Sequence, residues 1–143
     1  MWLLLMATTM AAVVSGNNDV AKEETKLQGT WQAVAIVVNG HPMPAEHVRA
    51  TQLILTGGQF SQRFDKRAVR EGIFTVQPDR TPKLIDLIFR GDEGLEMKLQ
   101  GLYELKAGSL KTCMALPGVP RPTEFVSRPD TGHIFTTYER QKP

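Results

Sequence analysis

Apolar and polar positions alternate with a period of two along most of the chain after residue 28, the spacing of strands with one buried face. Thr30 to Val38 is rich in β-branched residues and predicts the first strand. Its centre, Ala33-Val34-Ala35-Ile36-Val37-Val38, is apolar on both faces, so both faces are expected to be covered. Asn39-Gly40 is a strong turn signal. Pro42 and Pro44 then lead into Ala45-Glu46-His47-Val48-Arg49, a short helix with proline near its start, suited to lid one end of a barrel. Further strands are predicted at Thr51 to Leu55, Gln59 to Phe64, Val69 to Val76, Lys83 to Phe89, Leu95 to Leu105, Ser109 to Ala115 and Gly132 to Arg140. Turn residues such as Gly57-Gly58, Pro78-Asp79 and Gly91-Asp92 separate them. About eight short strands with tight turns predict an all-β fold, an up-and-down antiparallel barrel with one short helix.

Three stretches break this rhythm. Met1 to about Gly16 is apolar and uncharged, and ends in small residues before the polar Asn17-Asn18-Asp19. It has the shape of a secretory signal peptide, although no Lys or Arg precedes the apolar run, which leaves open whether Met1 is the true start. A retained membrane anchor is the alternative, and the run is short for a bilayer span. Residues 17–26 are polar and of mixed charge, and are expected to be a tether. The expected organisation is a leader over 1–16, the tether over 17–26 and a barrel domain over 27–143. Finally, Leu116 to Phe125 holds Pro117, Pro120 and Pro122, which forbid a hydrogen-bonded ladder. That stretch predicts a stiff loop presenting Arg121 and Glu124 either to a partner or to the barrel rim.

The opening Leu27-Gln28-Gly29-Thr30-Trp31 sets the expected closure. Gly29 lets the backbone pass close under a neighbour. The Trp31 indole turns inward as a large apolar plug with one N–H to satisfy. The last strand ends in Tyr138-Glu139-Arg140, which places a cation where the first and last strands meet. Gly29, Trp31 and Arg140 are therefore the expected structural closure.

Composition narrows function mostly by exclusion. The chain has 143 residues, one domain's worth, and a net charge of +2, so no strong field draws it to nucleic acid. Arg63, Lys66, Arg67 and Arg70 form a modest basic cluster, read as a solvated hairpin tip. The single cysteine, Cys113, rules out an internal disulfide and a cysteine-rich metal site, and reads as a small strand residue. His41, His47 and His133 lack the spacing that aims two rings at one metal. No nucleophile elbow or phosphate-binding glycine loop occurs. Asp86 and Glu104 are the one candidate carboxylate pair, and a solvated pair is the simpler reading.

Five motifs occur together in order: Leu27-Gln28-Gly29-Thr30-Trp31, Asn39-Gly40 before Pro42, Lys83-Leu84-Ile85-Asp86-Leu87, Gly101-Leu102-Tyr103-Glu104-Leu105, and Pro117-Gly118 followed by Arg121-Pro122-Thr123-Glu124-Phe125. They resemble a domain family abundant in planctomycete bacteria, whose function is uncharacterised. The resemblance implies export and a lipocalin-like barrel, and supplies no catalytic residues. The Gly29-Thr30-Trp31 opening is also similar to that of lipocalins and avidins. In lipocalins a cation on the final strand stacks over this Trp, the place held here by Arg140.

The expected function is that of an exported, non-enzymatic barrel that needs no cofactor and holds a small apolar molecule. The candidate wall is Phe60, Phe64, Phe74, Leu87, Leu99 and Tyr103. A barrel of this size can equally be filled by its own side chains. The alternative is a structural or interaction module whose partner is an envelope protein. Neither nucleic acid nor stable membrane insertion after leader removal is expected.

Overall fold

The structure, a computed structural model, describes residues 15–142. Most of the apolar leader predicted over 1–16 lies outside the described residues. Helix α1 (Ser15–Leu27) comes first, then strands β1 (Gly29–Val38) and β2 (His41–Pro42) and helix α2 (Ala45–Ala50). Strands β3 (Thr51–Thr56), β4 (Gln59–Phe64), β5 (Arg67–Gln77), β6 (Lys83–Arg90), β7 (Glu96–Lys106), β8 (Ser109–Ala115) and β9 (His133–Arg140) follow. Consecutive long strands pair antiparallel in the order β1-β3-β4-β5-β6-β7-β8-β9, and β9 returns to pair with β1. The result is a closed, lipocalin-like up-and-down barrel of eight strands. The two-residue β2 adds a short pairing to the end of β1, Val37 opposite Pro42 and Val38 opposite His41. Closure removes both sheet edges.

The core follows the period of two. Leu53 and Leu55, Phe60, Phe74 and Val76, Ile85, Leu87 and Phe89, Leu99 and Tyr103, Leu110, and Tyr138 belong to one buried cluster with Trp31. On β1 the alternation changes phase. Trp31 and Ala33 are buried, the pairing with β9 shifts between Ala33 and Ala35, and Ile36 is the next buried residue. A bulge of this kind inserts one residue and reverses which face follows. This corrects the expectation that both faces of this run are covered: Val34 is 45 % exposed. The run is apolar because two inward segments of opposite phase abut there.

The tether is likewise corrected. Residues 17–26 lie within α1, which closes the barrel end where β1 begins and β9 finishes. Val20, Glu23 and Leu27 fall on one helical face. Leu27 and Glu23 are buried and Val20 packs on the core. The Leu27 carbonyl accepts the Trp31 Nε1–H at 2.9 Å, which satisfies the buried indole. Gly29 has φ +131°, and a Cβ there would stand 2.8 Å from Arg140 Nη1. The absent side chain is what admits the guanidinium.

Helix α2 covers the gap where β1 parts from β3, with Val48 buried. There the Gln32 side-chain amide lies 3.1 Å from the carbonyls of Ala33, Arg49 and Thr51 and ties α2 to β1 and β3. Among the described residues no helix is long and apolar enough to cross a membrane.

Candidate functional site

The two barrel ends differ. At the α1 end the interior is filled by Trp31, Leu27, Leu55, Tyr103 and Leu110, all at most 1 % exposed. At the opposite end the inward side chains thin out to Ile36 and Val38 of β1 and Ile134 and Thr136 of β9. A cavity of about 370 Å³ opens there, with Tyr138, Gln62, Arg70, Phe64 and Val69 also on its wall and His47 of α2 on its rim. That volume is at the low end of the range of about 300–1,000 Å³ usual for small-molecule sites.

The cavity is apolar on the β1 and β9 side and carries polar groups on the β4 and β5 side. Arg70 is half-buried, and its guanidinium carbon lies 4.4 Å from the centroid of the Phe89 ring. Its Nη1 donates to Gln62 Oε1 at 3.3 Å. Burial lowers the Arg70 pKa from its ordinary value, yet guanidinium stays charged at any physiological pH. No carboxylate lies within ion-pair distance of Arg70 or Arg63 among the described residues. The buried Nε of Arg63, also on the cavity wall, has no hydrogen-bond partner. The Tyr138 hydroxyl is pushed up to about 12 by burial, against hydrogen bonds with Thr136 and Thr112. It is therefore neutral, a donor and acceptor at the cavity floor. At the rim the His47 ring lies 4.7 Å from the Phe64 ring.

Of the six residues expected to line an apolar site, Phe60, Phe74, Leu87, Leu99 and Tyr103 are packed in the core, each at most 3 % exposed. Phe64 is 39 % exposed and alone among the six reaches the mouth cavity. The basic cluster divides. Lys66 and Arg67 are exposed on the β4–β5 hairpin, whereas Arg63 and Arg70 are partly buried rather than a solvated tip, and Arg70 faces the cavity. The reason is register: Arg70 shares the inward face of β5 with Gly72 and Phe74, and pairs opposite Gln62.

At the closed end, Trp31 of β1 pairs with Arg140 of β9, and the Arg140 guanidinium carbon lies 4.3 Å from the Trp31 ring centroid. Arg140 also donates to the carbonyls of Gln28 and Lys26. Glu23 Oε1 accepts from Lys83 Nζ at 2.8 Å and from the Tyr103 hydroxyl at 3.1 Å. Burial raises the Tyr103 pKa well above its ordinary value, and the Glu23 charge adds to it.

The proline loop folds back over the outer face of β6, β7 and β8. Arg121 Nη1 donates to the Gly101 carbonyl at 2.9 Å, and Nη2 stands 2.8 Å from Asp86 Oδ1. Asp86 Oδ1 has no aligned hydrogen bond, so the second contact is an ion pair by proximity. Lys98 approaches the other Asp86 oxygen at 3.5 Å. Arg121 is thus engaged with the barrel wall. Glu124 is exposed and pairs with Arg128 at 3.4 Å. Glu104 pairs with Lys106 at 2.8 Å, so it and Asp86 answer to separate cations. Cys113 is buried beneath the same loop and donates its S–H to the Val126 carbonyl at 3.5 Å, while burial raises its pKa. His41 is exposed, and His133 Nε2 lies 3.2 Å from the Pro120 carbonyl. Among the described residues no three of His, Cys, Asp and Glu gather as a metal site.

Sequence reasoning missed the cavity residues Ile36, Val38, Ile134, Thr136, Gln62 and Arg70. Gln62 was legible by alternation, since it shares a face with Phe60 and Phe64. Arg70 was hidden by its charged neighbours. In the comparisons with known proteins, no family model, no curated protein and no solved structure matches the chain.

Proposed function

We propose that the protein is an exported, non-catalytic barrel that holds a small, largely apolar molecule in its open mouth. One observation carries this reading: the barrel is plugged by its own side chains at the α1 end and hollow at the other, where Ile36, Val38 and Ile134 face a cavity of about 370 Å³. Displacement of the neutral dye Nile red from the mature chain tests it. Saturable binding that is lost in Ile134→Trp, a change that fills the mouth, supports the reading. A wild-type chain that binds no dye and no competing alkane overturns it. The ordered motifs and the barrel together support membership of the planctomycete lipocalin-like family. For export, intact mass of protein recovered from the periplasm should correspond to loss of about the first 16 residues. A full-length mass there would mean the leader is retained.

A second reading, an envelope interaction module, has one observation in its favour. A shallow groove of about 730 Å³ runs along the outer face of β1 beside α2, lined by Val34, Ala35, Pro42, Met43 and Val48 among others. Here Val34→Lys should abolish capture of a reproducible envelope partner and leave dye binding unchanged. No partner recovered with the wild type would count against it.

A further inference from the structure

We propose that the molecule held in the mouth is an amphipathic anion, its acidic head on Arg70 and its apolar part against Ile36, Val38 and Ile134. The inference rests on the ligand-binding reading above and specifies the chemical class.

The argument starts from the cost of a cation in such a place. Taking a guanidinium out of water is unfavourable unless opposite charge or aligned acceptors replace the lost hydration. Three other cations of this barrel meet that requirement. Arg121 has Asp86, Lys83 has Glu23, and Arg140 has two backbone carbonyls. Arg70 has one side-chain amide oxygen at 3.3 Å and the face of Phe89. Of its five N–H donors one is accepted by a protein group, and the rest of the fork is open to the solvent of the cavity. The Phe89 ring face attracts the guanidinium and accepts no conventional hydrogen bond from it. Arg63 also borders this cavity, but it pairs opposite Gln52 on the strand face away from Gln62. Among the described residues no acidic side chain borders the cavity; the polar remainder is Gln52, Gln62, Thr51, Thr136, His47 and Tyr138.

A carboxylate or a phosphate monoester matches a guanidinium fork with two parallel bonds, so an oxyanion supplies what this site lacks. On the β1 and β9 side Ile36, Val38 and Ile134 offer aliphatic surface beside the Thr136 and Tyr138 hydroxyls, which disfavours a ligand that is polar throughout. Phe64 and Val69, exposed at the rim, add apolar surface on the β4 and β5 side of the mouth. The two walls together describe a molecule with one acidic end and one hydrocarbon end.

Isothermal titration of the mature chain with decanoate, decanol and decyltrimethylammonium, each below its micellar concentration, tests this. Decanoate should bind at least about tenfold more tightly than decanol, the ratio expected of one charge-assisted pair, and the ammonium should not bind measurably. Decyl phosphate in place of decanoate distinguishes the two head groups. Arg70→Gln should bring decanoate to the affinity of decanol and leave decanol within about twofold, and Arg70→Lys should keep part of the preference. If Arg70→Gln fails to fold by near-ultraviolet circular dichroism, salt dependence of the wild type serves instead: decanoate affinity should fall with added salt and decanol affinity should not. Equal affinity for decanoate and decanol overturns the anion assignment and leaves the ligand-binding reading standing. Absence of binding by all of them overturns both.

Discussion

Glu23 offers the sharpest test of how the barrel is closed. It is 5 % exposed, sits on a helix outside the sheet, and accepts hydrogen bonds from Lys83 on β6 and Tyr103 on β7. Glu23→Ala removes both bonds at once. The Tyr103 hydroxyl would then be buried without a partner, a cost of about 1–3 kcal/mol. The Lys83 side chain is 41 % exposed and can regain water, so its loss adds less than the breaking of a fully buried pair. The sum is about 2–3 kcal/mol. Glu23→Gln keeps an acceptor for Tyr103 and loses only the charge, for about 1 kcal/mol. The pH dependence follows from the carboxyl itself. Burial raises its pKa, but hydrogen bonds from Lys83 and Tyr103 and the charges of Lys83 and Lys26 outweigh this, and the net shift is below the ordinary 4.5. Because the folded value is depressed, the stabilisation is complete above the unfolded pKa and is lost as pH falls through the folded one. Urea unfolding followed by Trp fluorescence should therefore show a constant gap between wild type and Glu23→Gln down to about 4.5, closing in stronger acid, where wild-type Glu23 is as neutral as glutamine. A gap that stays the same from neutral pH to about pH 3, or no gap at neutral pH, would refute the ionic closure.

Four further substitutions have expected outcomes. Arg140→Lys should destabilise by about 1 kcal/mol, since an exposed stacked cation contributes about 0.5–1 kcal/mol and lysine loses the flat face and a carbonyl bond. Trp31→Ala should cost about 3–5 kcal/mol through lost core volume, and a double-mutant cycle should couple the two by at least about 0.5 kcal/mol; strict additivity would show that the stack contributes nothing. Arg121→Ala should free the proline loop from the wall and leave Asp86 buried without its nearest cation, at a cost of about 1–3 kcal/mol, so limited proteolysis should cut within residues 116–132 faster than in the wild type. Gly72→Ala places a Cβ 2.0 Å from the Ile88 carbonyl oxygen, in backbone that cannot yield locally. A loss of about 1–3 kcal/mol or more is expected, and an unchanged denaturation midpoint would mean that β5 and β6 are not in the register described.

Strand positions were legible in the chain because strand formation here is a local matter. Alternation in Ile85-Asp86-Leu87-Ile88-Phe89 or Leu110 to Met114 marks the inward face, and Asn39-Gly40 or Gly57-Gly58 marks where the chain reverses. Closure was legible too, since Gly29, Trp31 and Arg140 act within a few residues of their strand ends. Helix α1 was not, because its buried face includes Glu23. A carboxylate reads as solvent-facing until Lys83 and Tyr103, some 60 and 80 residues later in the chain, are brought to it. The burial of Asp86 was hidden for the same reason, as Arg121 covers it from a loop far along the sequence. The phase change at Val34 depends on the pairing of β1 with β9, which local pattern does not carry. The hollow itself belongs only to the tertiary structure. Whether inward side chains fill a barrel depends on how the bulk from eight strands adds up at each level, and on the register that decides which residues share a level. Five aromatic or aliphatic residues chosen by alternation fell in the filled levels, while Ile36, Ile134 and Arg70 met at the level left open.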